Sequence, residues 1–293
     1  MPNPINTPRR LADAVENLVN NSVSTFAEGI TATENQMFKT LKQALRDLTV
    51  DKNGNIKRTA ANRATLRKIK RSLKQDVLTN AYEGRVSRFL GAYDMLGGAN
   101  NEYFKALSEA FLPNETLFNE IKRSAIELTT NSLTGAGIEI NVIDPVAKIL
   151  DQNITTGGNV FELEEQLRQQ ITSTEEGLGA LSRYTGQITR DSLNQFSANY
   201  HESISADLGL NWFQYAPGKV KNTRPFCANL QGKYFHRSEI PKLIKEPWAG
   251  MIPGTNSSNF LIYRGGFNCM HPVSAVSEAV VPDADKARVA AMA

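Results

Sequence analysis

Two short stretches near the C-terminus, NTRPFCANLQGKYFHR and YRGGFNCMHPVS, hold both cysteines of the chain, Cys227 and Cys269. They also hold two of its three histidines, His236 and His271. Thiolates and imidazoles are the ligands of structural zinc, which takes about four of them as two close pairs. Cys269 and His271, one residue apart, suit one pair. Cys227 and His236 flank an expected hairpin and could supply the other, at wider spacing than a zinc-binding turn normally uses. A disulfide between Cys227 and Cys269, formed in an oxidising environment, is the alternative staple. Two buried cysteines acting as small hydrophobes are the third reading.

Catalytic chemistry finds less support. A Cys–His nucleophile needs a third group to orient the imidazole, and no segment marks an oxyanion hole. A metal-dependent nuclease would draw on His236, Asn268 and His271, a set with no acidic member. Gly265 and Gly266 suit a turn, because no helix start follows them at the spacing of a phosphate cradle. The chain is therefore expected not to be an enzyme and to take no small-molecule substrate. Arg224 is expected to pair within its own module, anchoring the loop before Pro225. Trp212 and Trp248 are expected in a core rather than as stacking platforms for bases.

These residues sit in a region of changed texture. From Asn211 onward, NWFQYAP, KYFH and FLIYRGGFN are short aromatic or β-favouring runs split by glycine, proline and asparagine. They predict a small, loop-rich module with two or three short strands. Such a module has little core of its own and must lean on helices or be stapled. The preceding two hundred residues carry helical periodicity: Leu11, Val15, Leu18 and Phe26 up to Gly29, then Met37, Leu41, Leu45 and Leu48 up to the turn DKNGN. A helix through residues 57–74 is expected to run to about Leu96, broken by GGAN. Leu117, Ile121, Ala125 and Leu128 mark the next. Residues 132–142 (SLTGAGIEINV) read as an extended linker, with Asp144 and Pro145 opening a new helix. The predicted fold is mainly α, long amphipathic helices followed by a small C-terminal α+β module. Its divisions are residues 1–131, the linker 132–142, and 143–293, the last expected to fold alone.

The composition is that of an ordinary globular chain: 293 residues, 41% hydrophobic and 22% charged. No window approaches the roughly 18 apolar residues of a spanning helix, and the opening stretch has no signal-peptide pattern. The net charge of +3 says little, but its distribution says more. Lys57, Arg58, Arg63, Arg67, Lys68, Lys70, Arg71 and Lys74 fall in KRTAANRATLRKIKRSLK without one acidic residue. Leu66, Ile69, Leu73 and Val77 make this an amphipathic helix with a basic outer face. That face would meet phosphates or an acidic protein surface. Otherwise it is solvated and neutralised by acids such as Asp47, Asp51 and Asp76.

Trp-x-x-Tyr before NTRPFC, then GKYF, then GGFNCMHPV resembles the C-terminal module of phage head morphogenesis proteins. These are minor head proteins of tailed bacteriophages related to the phage Mu F protein. ITRDSLNQFSANYHE resembles the helix that precedes that module, and NGNIKRTAANRATLRKIKRSLK an entry into its basic helix. Many members carry Cys-x-x-Cys at the first site and His-Pro-x-Cys-Arg-Cys at the second. Here Cys227 stands alone and the second string is Asn268-Cys269-Met270-His271. The resemblance implies a structural protein of the virion head, made in the host cytoplasm and placed near the portal. Its partners would be the portal and major capsid proteins, with double-stranded DNA contacted by Arg63, Arg67, Lys68, Lys70, Arg71 and Lys74. The alternative function is a zinc-dependent nucleic-acid-binding protein or nuclease.

Overall fold

A computed structural model describes residues 8–216 and 223–292. The described chain is mainly helical, with one small antiparallel sheet near the C-terminus, as the periodicity predicts. Its first helices are α1 (Pro8–Ala27), α2 (Ile30–Leu45), α3 (Ala60–Val77), α4 (Asn80–Leu90), α5 (Ala92–Leu107) and α6 (Glu115–Thr134). A short α7 (Ala136–Ile138), α8 (Asp144–Thr156), α9 (Val160–Ile171) and α10 (Ala180–Asp207) follow. The C-terminal part holds β1 (Trp212–Tyr215), α11 (Pro225–Leu230), β2 (Tyr234–His236), α12 (Ile240–Leu243), α13 (Phe260–Tyr263), β3 (Val273–Val276) and α14 (Asp283–Ala290). None of the described helices is long and apolar enough to cross a membrane.

The chain divides into two compact units that interleave in sequence. One comprises residues 1–22, 91–126 and 190–293, the other residues 23–90 and 127–189. The sequence division into 1–131 and 143–293 does not follow this partition, because α5 belongs with the C-terminal strands.

In the unit of residues 23–90 and 127–189, α2 packs on α3 and α9, and α8 packs on α3 and α9. The buried rows are Met37, Leu41 and Leu45 on α2, Ile69, Leu73 and Val77 on α3, Val146, Leu150 and Ile154 on α8, and Leu163, Leu167 and Ile171 on α9. Each repeats at helical spacing, so one stripe per helix faces the core. Asn62 ties the entry to α3: its amide accepts from Thr49 N and donates to the Thr49 and Lys57 carbonyls. Thr59 caps the helix by accepting from Asn62 N. Glu34 is fully buried and accepts from Ser173 N, Ser173 Oγ and Ser182 N at 2.7–3.0 Å.

Two local expectations are corrected here. Residues 132–142 are helical rather than extended: α6 passes into α7 and a π-helical turn at Glu139–Ile143, which leads directly into α8. Val142 and Ile143 are completely buried, so packing decides the conformation that Gly135 and Gly137 leave open. Asp144 is therefore a helical residue and not an N-cap. Second, the basic helix ends at Val77. Gly97 and Gly98 lie inside α5. Gly97 is needed there because a Cβ would stand 2.2 Å from the Phe118 ring. The helix marked by Leu117, Ile121, Ala125 and Leu128 is present as α6, on which Leu128 is 67% exposed while Thr129 and Leu133 are buried.

In the other unit, α5 and α10 carry an aromatic core. Tyr93 packs edge-on against Phe196, and Phe118 against Phe196 and Tyr200. The sheet has the order β2-β1-β3, with Phe213 opposite Phe235 and Ala275. It is held to the helices by Tyr103, whose hydroxyl donates to the Ala275 carbonyl, and by His201, whose Nε2 accepts the Ala275 N–H at 2.8 Å.

Candidate metal centre

Two backbone segments build the site. Pro225 starts α11, with Arg224 as its extended N-cap residue, and the helix turns the Cys227 side chain inward. The second segment is the loop between α13 and β3. Here Arg264 (φ 50°), Gly266 (φ 93°) and Asn268 (φ 55°) adopt left-handed backbone and fold the chain back on itself. Gly266 is obligatory on space as well, since a Cβ would lie 1.9 Å from the Gly250 carbonyl oxygen.

Hydrogen bonds lock the two segments together. Arg224 donates to the carbonyls of Gly265 and Phe267. The Trp248 indole donates to the Gly265 carbonyl at 3.0 Å and stacks on Phe226 at 3.9 Å. Phe267 N donates to the Gly250 carbonyl, and Asn268 N to Asp191 Oδ1.

Inside this frame Cys227, Cys269 and His271 are all buried, and their ligand atoms lie within 4.8 Å of one another. Both cysteines are free thiols. The Tyr215 hydroxyl lies 3.3 Å from Cys227 Sγ and 3.6 Å from Cys269 Sγ. Tyr215 reaches them because it projects from the same face of β1 as the buried Phe213. His271 Nε2 lies 2.8 Å from the Gln231 amide.

The electrostatics follow from the proximity. The hydrogen bond between the sulfurs, with burial adding to it, pushes the Cys227 thiol far up. The same bond, aided by the His271 ring and the Arg264 charge, pulls Cys269 down against the opposing effect of burial. Burial, then the two sulfurs, holds the Tyr215 hydroxyl protonated well above its ordinary range. Arg264 is only 3% exposed, and among the described residues no carboxylate pairs with it.

The donor set fits a soft divalent metal. Two thiols and an imidazole are zinc-type ligands, and their separations suit a common centre. Gly265 completes the cradle: a Cβ there would stand 2.4 Å from Cys227 Sγ and 2.8 Å from Cys269 Sγ. The three residues also line a pocket of about 370 Å³ with Arg190, Thr223, Arg224, Asn268 and Met270.

His236 is not in the cluster. It stands opposite Trp212 at the far end of β1, while the sulfurs meet Tyr215 at the near end. These positions are three residues apart along β1, roughly 10 Å, and they face opposite sides of the sheet. His236 instead caps the 3₁₀ turn Arg237–Glu239, accepting from Ser238 N, and its ring packs on Trp212. The set His236, Asn268 and His271 considered for a nuclease is therefore not assembled. Tyr215, Gln231 and Arg264 also join the site; all three lie in the stretches the sequence singled out, but nothing in their residue type or spacing marked them as neighbours of the sulfurs.

The basic helix divides in two. Lys70 pairs with Glu139 and Asp144, and Lys74 with Glu139, so their charges are met within the chain. For Lys70 and Lys74 the acids are thus Glu139 and Asp144, not the Asp47, Asp51 and Asp76 expected from sequence proximity. Arg63, Arg67, Lys68 and Arg71 are exposed, with no ion pair among the described residues.

Comparison with known protein families, curated proteins and solved structures found no match for the chain.

Proposed function

We propose that the chain is a minor structural protein of a tailed-bacteriophage head. It would be made in the host cytoplasm and reside in the virion near the portal, against portal and major capsid proteins. The observation that carries this reading is the ordered string TRPFC…GGFNC-x-H, whose first and last parts interlock through the Arg224 bonds to Gly265 and Phe267. A motif kept in one interlocked unit suits a rigid docking module. Its work is done by surfaces and calls for no chemical step. The unpaired basic face of α3 (Arg63, Arg67, Lys68, Arg71) would contact DNA phosphates during packaging or ejection.

Zinc is the metal that suits this module, held by Cys227, Cys269 and His271. When bound it supplies a cross-link between α11 and the loop before β3, which a small module with short strands needs. The buried Cys/Cys/His cluster beside a pocket also supports the second reading, a zinc-dependent nucleic-acid-binding protein or nuclease.

Co-expression with a matching portal protein and major capsid protein tests the two. A stoichiometric band in purified particles, with no DNA cleavage in magnesium, manganese or zinc, is the expected result. Metal-dependent cleavage by a protein absent from particles would replace the first reading with the second.

A further inference from the structure

We infer that the centre formed by Cys227, Cys269 and His271 is an open one. Its fourth ligand is an anionic oxygen donor from outside the chain, admitted through the adjoining pocket. This rests on the metal reading above and goes beyond it, since a purely structural zinc site is closed by four protein ligands.

Three observations carry the inference. All three ligands line the same pocket of about 370 Å³, and among the described residues no further Cys, His, Asp or Glu lines it. The other approaches are filled: the Tyr215 hydroxyl sits against both sulfurs, and the Gly265 backbone leaves no room even for a methyl group. His236, the only other sequence candidate for a fourth ligand, is committed to the turn at Ser238.

Charge then selects the ligand. Two thiolates neutralise a divalent ion, and the imidazole adds nothing. Arg190 and Arg224 line the pocket and Arg264 is buried nearby, while among the described residues no carboxylate lines it. The assembled site is therefore cationic and favours an anion over water. Arg190 uses one terminal nitrogen on Asn20 and Met270, and Arg224 two on carbonyls. A guanidinium has five N–H donors, so both retain hydrogen bonds for an incoming oxyanion.

The full-length protein, stripped with a chelator and reloaded with Co²⁺, tests this through the cobalt–thiolate absorption bands. The expected result is a four-coordinate thiolate spectrum that shifts saturably when acetate or inorganic phosphate is added. The two anions separate a carboxylate source from a phosphoryl one. Arg190→Gln should weaken the response about tenfold, the loss of one charge-assisted hydrogen bond. Thiolate bands that neither anion moves overturn the inference but leave the metal reading standing. A spectral change in Met270→Leu would then identify the thioether as the fourth ligand. No thiolate bands at any Co²⁺ concentration remove both.

Discussion

The imidazole of His201 on α10 accepts the Ala275 N–H of β3 through Nε2 at 2.8 Å, and its Nδ1 lies 2.9 Å from Asn100 Oδ1. Nδ1 must therefore carry the proton, because the amide oxygen can only accept. One buried ring thus joins α5, α10 and β3, and it does so only while neutral.

A pH dependence follows. Burial, and secondarily the charge of Arg264, depresses the His201 pKa to about 3. The unfolded chain takes up this proton near pH 6.5 and the folded one does not. The stabilisation is complete above about pH 6.5 and is lost as pH falls from there toward 3, at up to ~1.4 kcal/mol per pH unit. Urea unfolding between pH 7 and 4 should show that decline. His201→Gln should flatten it while lowering stability at pH 7 by about 2 kcal/mol, through the lost Ala275 bond. Equal slopes in the two proteins would assign the acid sensitivity elsewhere.

A fragment of residues 143–293 should not fold by itself. It lacks α5, and with it Tyr93, Tyr103 and Phe104, all completely or almost completely buried. It also loses the Tyr103 bond to Ala275 and the Asn100 bond to His201. Near-ultraviolet circular dichroism should show no fixed aromatic signal for the fragment alone. Supplying residues 1–142 in trans should restore it. An independently folded fragment would mean that the sheet does not need α5.

Gly265→Ala should lower stability by about 1–3 kcal/mol, because the added methyl overlaps both sulfurs. Differential scanning calorimetry checks this. Gly186 on α10 offers the contrast: outside its own helix backbone nothing lies within 4 Å of its would-be Cβ, so Gly186→Ala should be neutral or stabilising. Equal midpoints for the two variants would show that the sulfurs can move aside at little cost.

The two halves of the α3 charge set should behave differently. Replacing Arg63, Arg67, Lys68 and Arg71 with glutamine should weaken duplex DNA association and reduce its salt slope by about 3–4. Replacing Lys70 and Lys74 should change DNA association much less, and stability by at most ~1 kcal/mol, because the Glu139 and Asp144 pairs are solvent-exposed. Fluorescence anisotropy at several salt concentrations measures both. Identical effects of the two sets would remove the exposed face as a phosphate contact.

What the sequence determined by itself was everything carried by short-range periodicity and rare residues. The stripe Met37–Leu41–Leu45 fixes its helix, since an i, i+4 apolar row has one way to hide from water. The short runs NWFQYAP and KYFH marked β1 and β2, but FLIYRGGFN folds as α13 and the loop after it, and the third strand is Val273–Val276; the rarity of cysteine drew attention to Cys227 and Cys269. Tertiary structure decided what depends on distance in space. Gly97 lies inside α5 rather than ending a helix, where the Phe118 ring leaves no room for a larger residue, and residues 132–142 are helical because Val142 and Ile143 are buried. His236 is excluded from the cysteine cluster by the register and parity of β1, and Tyr215 is brought into it by the same register. Lys70 and Lys74 find Glu139 and Asp144 some seventy residues away rather than the nearer acids. Local pattern fixes which face of an element is apolar; only packing fixes which neighbour that face and its flanking charges will meet.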